Sequence, residues 1–133
     1  MALVTEANVG EKTVLSYNFH LESRGDGRLR CLQLNECLQD ARRYGSDVPV
    51  VMAGDYNMDV TRTAALAALT QARFRNAFSK SPDRTTPGSL LERGRPIDWI
   101  FVRGPVRSDN ACVHTSVTAS DHFPLSVRVA FST

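Results

Sequence analysis

The sequence predicts an α/β fold in which strands and helices alternate around one mixed sheet. Residues 13–22 alternate apolar and polar side chains, as a strand with one buried face does. Residues 28–44 place apolar side chains along one stripe of a helix. Residues 48–53 form a continuous apolar run that ends in Gly54 and Asp55, which is typical of a strand buried on both faces.

The other elements follow in chain order. The glycines and polar residues at 23–27 predict a turn before the first helix, and Gly45 predicts its end. The apolar stripe of that helix consists of Cys31, Leu34, Leu38 and Ala41. The pattern then predicts a helix over 63–73, a polar loop over 79–94, and strands over 97–102, 112–117 and 125–131. This order of elements predicts that the helices pack on one face of the sheet.

The composition is that of one globular domain. The chain has 133 residues, of which 42% are hydrophobic and 23% are charged. Arg outnumbers Lys by 14 to 2, which suits a phosphate-binding protein and an arginine-rich genome equally. The net charge is only +2, and the sequence has no dense basic stripe of the kind that a protein coating nucleic acid normally shows. We expect no membrane span and no secretory signal, and the three unpaired-looking cysteines favour a reducing, cytoplasmic location.

Four small polar clusters lie where predicted strands end or loops begin. They are Asn18 with His20, Asp55 with Asn57, Asp98 alone, and Asp121 with His122. Strand ends converge in an α/β fold, so these groups could meet in one pocket. There a carboxylate could accept a proton from water, carboxylate oxygens could bind Mg²⁺, and imidazolium or amide groups could stabilise phosphoryl charge.

Each cluster taken alone also has a structural explanation. An aspartate such as Asp55 after a glycine is a common turn residue, and an Asp-His pair before a strand is a common cap. Asn18 and His20 fit an exposed polar face equally well. Asp98 is different, because a charge within an apolar strand needs either an ion-pair or hydrogen-bond partner or a solvent-exposed face. The ordered set, with each member at a strand end, favours a phosphoester-cleaving site.

These ordered motifs resemble the C-terminal motifs of the endonuclease/exonuclease/phosphatase superfamily, over nearly the whole chain. The resemblance implies a phosphoester hydrolase (a phosphodiesterase, nuclease or phosphatase) that uses Mg²⁺ or Mn²⁺ and attacks phosphorus with water. It also implies that residues 1–133 are the C-terminal portion of a single domain. In that family this portion is half of a four-layer α/β/β/α sandwich.

The resemblance gives each polar residue a role. His122 would contact the scissile phosphate, and Asp98 would hydrogen-bond and orient it. Asp55 would position and deprotonate the attacking water, which Asn57 would help to hold. His20 would donate to a phosphate oxygen.

The phosphate-binding set implied in this way is Asn18, His20, Asn57 and His122. Asp121 would lie at the metal. The main glutamate ligand of the family should precede Asn18, and neither Glu6 nor Glu11 lies in a matching motif.

An isolated half-domain would leave a sheet face uncovered. We expect this for Leu15, Tyr17 and Phe19, or for the opposite face of 97–102, with the second sheet supplied from elsewhere. A homodimer or a complementary N-terminal fragment would cover that face. The alternative function is a catalytically silent half-domain or truncated fragment that self-associates or binds a partner. The substrate stays open among DNA, a tyrosyl-DNA adduct, an inositol phosphate and a lipid headgroup, and loop 79–94 bears on that choice.

Overall fold

The computed structural model describes residues 1–132, which form seven strands, two α-helices and one short 3₁₀ helix. The strands are β1 (Ala2–Val9), β2 (Lys12–His20), β3 (Val50–Asp55), β4 (Arg75–Asn76), β5 (Asp98–Arg103), β6 (Val106–Val113) and β7 (Leu125–Phe131). The helices are α1 (Arg28–Ala41) and α2 (Ala64–Gln71), and the 3₁₀ turn is Val60–Arg62.

The main sheet has five strands in the order β1-β2-β3-β5-β4. β2 and β3 are parallel and are joined through α1, whereas the other neighbouring pairs are antiparallel. The predicted α/β fold with a mixed sheet is therefore confirmed. Neither helix among residues 1–132 has the length and apolar character that crossing a lipid bilayer requires.

One face of this sheet is covered by both helices. Leu15, Tyr17 and Phe19 of β2 are only 1%, 1% and 3% exposed, and they pack in one cluster with Leu34 and Leu38 of α1. The expectation that these three side chains lie on an uncovered face is wrong. The reason is the crossover connection, because α1 returns over the face of β2 on its way to the parallel strand β3.

The other face is covered in part by a hairpin of β6 and β7, which forms a separate two-stranded sheet. Ile100 and Val102 of β5 are 6% and 0% exposed, in a cluster that includes Val127 and Phe131 of β7. The expectation that this face of β5 is open, and that the second sheet comes wholly from elsewhere, is therefore also wrong. The chain by itself supplies three layers: helices, main sheet and hairpin.

Several element boundaries differ from the predicted ones. The first helix ends at Ala41 rather than at 44, and the strand predicted over 112–117 runs instead over Val106–Val113. Polar side chains and a register shift near Asn110, which has a φ of 53°, obscure the alternation of that strand.

The sequence pattern did not reveal β1 at all. Every residue of β1 is exposed, so no buried face imposes an apolar period on its sequence. Leu3 and Val9 are 65% and 55% exposed, although β1 pairs with β2 over its full length. The uncovered part of the sheet is therefore the β1 edge.

Candidate active site

The sheet register brings three of the predicted site residues together at one edge. His20 ends β2, Asp55 ends β3 and Asp98 begins β5. His20 is the cross-strand partner of Asp55, and Asp55 is the cross-strand partner of Asp98. Parallel pairing in one case and antiparallel pairing in the other thus align three polar side chains across adjacent strands.

His122 reaches this edge from the segment before β7. Its Nδ1 atom lies 3.0 Å and 2.9 Å from Oδ1 and Oδ2 of Asp98, and its Nε2 atom lies 3.9 Å from Oδ2 of Asp55. His20 Nε2 lies 3.4 Å from the same Asp55 oxygen. One ligand atom from each of Asp55, Asp98 and His122 falls within 4.8 Å of the others. Two imidazoles and two carboxylates therefore share one small volume.

Asn57 supports Asp55 from the turn that follows β3. Its backbone N–H donates to Oδ1 of Asp55 at 2.7 Å, and its side-chain Nδ2 donates to the carbonyl oxygen of Leu21 at 2.8 Å. The φ of Asn57 is 51°, a left-handed value that asparagine tolerates better than most residues. The amide nitrogen is thus committed to the fold, and the amide oxygen is the atom that remains for a ligand.

Asn18 and Asp121 are not brought into the cluster. Asn18 is exposed within β2, and its side chain makes no hydrogen bond to any other residue in 1–132. Asp121 is exposed and accepts a hydrogen bond from Oγ of Ser120 at 3.2 Å. The roles that the sequence suggested for these two residues remain predictions.

The pKa values of two side chains are shifted by this arrangement. Burial alone would lower the pKa of His122, but the hydrogen bond that His122 donates to Asp98 and the negative charges of Asp98, Asp55 and Asp121 outweigh it and raise that pKa. Burial raises the pKa of Asp55, although the N–H of Asn57 opposes the shift. A histidine and an aspartate that both have a raised pKa are a combination that can act as acid and base.

Thr85 completes the site, and the sequence analysis did not single it out. It is 0% exposed, and its hydroxyl donates to Oδ2 of Asp98 at 2.6 Å. The hydroxyl oxygen of Thr85 accepts from the backbone N–H groups of Ile97 and Asp98, both at 3.0 Å, and the carbonyl oxygen of Thr85 accepts from the N–H of Phe123 at 2.7 Å. Thr85 thereby fixes Asp98 and the backbone next to His122. Nothing in the sequence distinguishes it from Thr86 within loop 79–94.

Replacing Thr85 by valine is expected to lower the free energy of unfolding by about 1–3 kcal/mol. Valine keeps the shape, but it leaves two buried N–H groups and a carboxylate oxygen without their partner. Urea denaturation followed by the fluorescence of the buried Trp99 would measure the change. Thr86→Val is the matched control, because Thr86 bonds only to the backbone of Arg95 and is expected to lose under about 1 kcal/mol. Equal losses for the two variants would contradict this account.

A match to a family model decides the classification. Residues 5–122 match the model described as the Endonuclease/Exonuclease/phosphatase family. The chain belongs to this family. No curated protein matches the chain at a significant level.

Solved structures of this family share the fold. The catalytic domain of human Nocturnin with bound sulfate superposes with a TM-score of 0.76 at 20% identity, covering 98% of this chain and 52% of that one. TDP2 of D. rerio, complexed with a single-strand DNA product, gives 0.75 at 19% identity and covers 97% and 61%. A mannosyl-6-phosphatase of Bacteroides thetaiotaomicron gives 0.66 at 24% identity and covers 90% and 52%. The chain therefore spans about half to three-fifths of the length of these relatives.

The residues of this family member fit a divalent cation only in part. A hard cation such as Mg²⁺ prefers six oxygen ligands. Both oxygens of Asp98 are engaged by His122 and Thr85, so Asp55, whose Oδ2 lies 3.4 Å from His20 and 3.9 Å from His122, is the carboxylate of the cluster that fits a cation better. Exposed Asp121 could add a second. Among residues 1–132 the oxygen set is thus short of a complete magnesium site.

Proposed function

We propose that this chain carries the water-activating half of a divalent-metal-dependent phosphoester hydrolase. The observation that supports the proposal most directly is the placement of Asp55, Asp98 and His122 within 4.8 Å at one sheet edge. The fold is that of phosphoesterases and nucleases, but the fold alone does not fix the reaction. The arrangement of donors and acceptors at this edge supports hydrolysis by attack of water on phosphorus.

Asp55 is the proposed base for the attacking water. Its Oδ1 is fixed by the N–H of Asn57, while Oδ2 faces His20 at 3.4 Å and His122 at 3.9 Å. Burial makes this carboxylate more basic than an exposed aspartate, which favours proton removal from water. The amide oxygen of Asn57 would accept the second hydrogen of that water.

His122 and His20 are the proposed donors to phosphoryl oxygens. Asp98 holds Nδ1 of His122, so the Nε2–H of the imidazolium points toward the open side, where negative charge would build up on phosphorus-bound oxygens. His20, with a side chain that is 67% exposed, can rotate to follow the same oxygens. Asn18 would extend this phosphate-binding set along β2.

We further propose that residues 1–133 are the C-terminal portion of one family domain and need a second protein surface. The β1 edge leaves Leu3, Val4 and Val9 exposed by 65%, 42% and 55%. A complementary N-terminal fragment or a second copy of the chain would cover this edge. It would also bring the oxygen ligands for Mg²⁺ or Mn²⁺ that Asp55 and Asp121 do not supply.

The second candidate function is a catalytically silent half-domain that only binds a partner. The incomplete oxygen set among residues 1–132 favours it for the isolated chain. The proposed substrate class is a phosphoester and extends to nucleic acid, and loop 79–94 lies beside the site through Thr85. DNA, tyrosyl-DNA, inositol phosphates and lipid headgroups are the substrates to compare.

Hydrolysis of bis-p-nitrophenyl phosphate tests the two candidates. We expect product release that requires Mg²⁺ or Mn²⁺, stops in EDTA and is absent from Asp55→Ala, which serves as the blank for contaminating enzymes. The rate per chain should rise with protein concentration, in step with dimer formation seen by analytical ultracentrifugation. A compact monomer with no hydrolysis at any metal concentration would leave the silent half-domain standing.

A further inference from the structure

A groove of about 640 Å³ opens at the end of the main sheet that lies away from the catalytic edge. β5 begins at Asp98, in the candidate active site, and ends at Arg103, in the lining of the groove. Along an extended strand these two residues are roughly 17 Å apart. A small molecule in the groove therefore cannot contact the catalytic carboxylates, and the groove is a separate site.

Four arginines line this groove. They are Arg42, Arg73, Arg75 and Arg103. The one acidic side chain in the lining is Asp47, and among residues 1–132 none of the four arginines lies within 4.0 Å of a carboxylate oxygen. The arginines that do form ion pairs, such as Arg43 with Asp40, lie outside the lining.

Arg103 is the buried member of the set. It is 6% exposed, its Nη2 donates to the carbonyl oxygen of Ala41 at 2.9 Å, and its guanidinium lies 5.4 Å from the ring centre of Phe74. No described residue accepts a hydrogen bond from its Nε. A buried guanidinium without a carboxylate is poorly solvated, so its positive field extends into the open groove beside it.

The arginines could instead be present to balance the negative ends of two helices. Comparing the size of the charges tests this explanation. α1 ends at Ala41 and α2 ends at Gln71, and each C-terminus carries a partial charge of about −0.5. Together with Asp47 they offset about two of the four positive charges, which leaves roughly two. The helix ends account for Arg103 through its bond to Ala41, but the side chains of Arg42 and Arg73 make no hydrogen bond within residues 1–132.

We propose that this groove binds a small molecule that carries a phosphoryl group. The planar fork of arginine matches phosphate oxygens with two hydrogen bonds, and Arg42 and Arg73 extend such forks from an exposed rim. Arg75 adds its charge to that rim, although its Nη2 already donates to the carbonyl oxygen of Val106 at 2.6 Å. The groove volume is in the range of small-molecule sites, and Tyr44, 36% exposed, adds an aromatic face to the lining. The ligand supplies the missing counter-charge for Arg103 and the rim.

Inorganic pyrophosphate, added without metal to the ¹⁵N-labelled chain, is the probe. We expect NMR shifts at Ala72, Gly104 and the buried Nε–H of Arg103, with an affinity that falls at least tenfold in the double variant Arg42→Gln with Arg73→Asn. Asparagine is chosen at position 73 because the φ of Arg73 is 64°, a left-handed backbone conformation that asparagine tolerates better than most residues. Neither replaced side chain makes a hydrogen bond, so the fold should persist.

A second double variant, Arg24→Gln with Arg28→Gln, removes the same net charge at a distant turn and should leave pyrophosphate binding within twofold. Shifts confined to the catalytic edge around His122 would overturn the proposal, as would equal weakening by the two double variants. Catalytic activity is not part of the readout. A failure here would therefore leave the proposed hydrolase function untouched.

Discussion

Replacing Gly54 by alanine is expected to lower the free energy of unfolding by more than about 4 kcal/mol, enough to unfold most of the protein. The φ of Gly54 is 141°, a backbone conformation that is essentially confined to glycine. A Cβ atom at this position would overlap the carbonyl oxygen of Phe19 and lie 2.9 Å from its carbonyl carbon. Both are backbone atoms of the neighbouring parallel strand, so neither can move aside without breaking the pairing of β2 with β3.

Urea denaturation and far-ultraviolet circular dichroism would measure the loss. Gly45→Ala is the matched control, because a Cβ there meets the end of the flexible side chain of Asp47 and not backbone. Its free energy of unfolding should change by less than about 1 kcal/mol. If Gly54→Ala unfolds at the same urea concentration as Gly45→Ala, the close approach of the two strands is not a constraint on this fold.

The same close approach explains why glycine precedes Asp55. At the φ of 141° a side chain at Gly54 would point into the backbone of Phe19, and the next pair along the ladder is His20 with Asp55. Gly54 is thus directly beside two side chains of the proposed site. A substitution at 54 would damage stability and the site together.

The strands with a strong apolar pattern were predictable from sequence, and those without one were not. The apolar residues of β3, β5 and β7 face the core in full or in part, and this burial produces a pattern that can be recognised in the sequence. β1 carries no such pattern because both its faces are exposed. In β6 the register shift at Asp109 and Cys112 interrupts the alternation.

The alternation of apolar and polar residues in a strand also does not show which element packs on its apolar face. It showed that Leu15, Tyr17 and Phe19 share a face, but it could not show that α1 covers that face. The cluster at the sheet edge depends likewise on register: His20, Asp55 and Asp98 are neighbours only because of how three strands pair. The role of Thr85 could not be predicted, because it depends on the geometry of a loop and leaves no periodic pattern in the sequence.

Replacing Asp98 by asparagine is expected to reduce kcat by about 10²–10³-fold in whichever assembly hydrolyses a phosphoester, the size of the loss when one charge-stabilising donor is weakened. The hydroxyl of Thr85 accepts two N–H groups and lies closer to residue 98, at 2.6 Å, than to the carbonyl oxygen of Arg95, at 3.2 Å, so we expect its proton to hold the carbonyl oxygen of the asparagine. The amide NH₂ would then face Nδ1 of His122, which leaves a neutral imidazole with its one proton on Nε2. The variant also loses the charge that raises the pKa of His122, so less imidazolium would be present at neutral pH.

Initial rates across pH 5–9 with bis-p-nitrophenyl phosphate would check this, with the fluorescence of Trp99 as a measure of folding. Asp109→Asn is the matched control, because it removes a carboxylate that pairs with Arg128 at 2.7 Å on the exposed hairpin. Its kcat should stay within about twofold, since surface pairs contribute little. The two variants separate a local effect on the imidazole from a general loss of negative charge. A folded Asp98→Asn protein with a kcat within tenfold of the original would remove Asp98 as the group that orients and charges His122, because the imidazole would then act without that carboxylate.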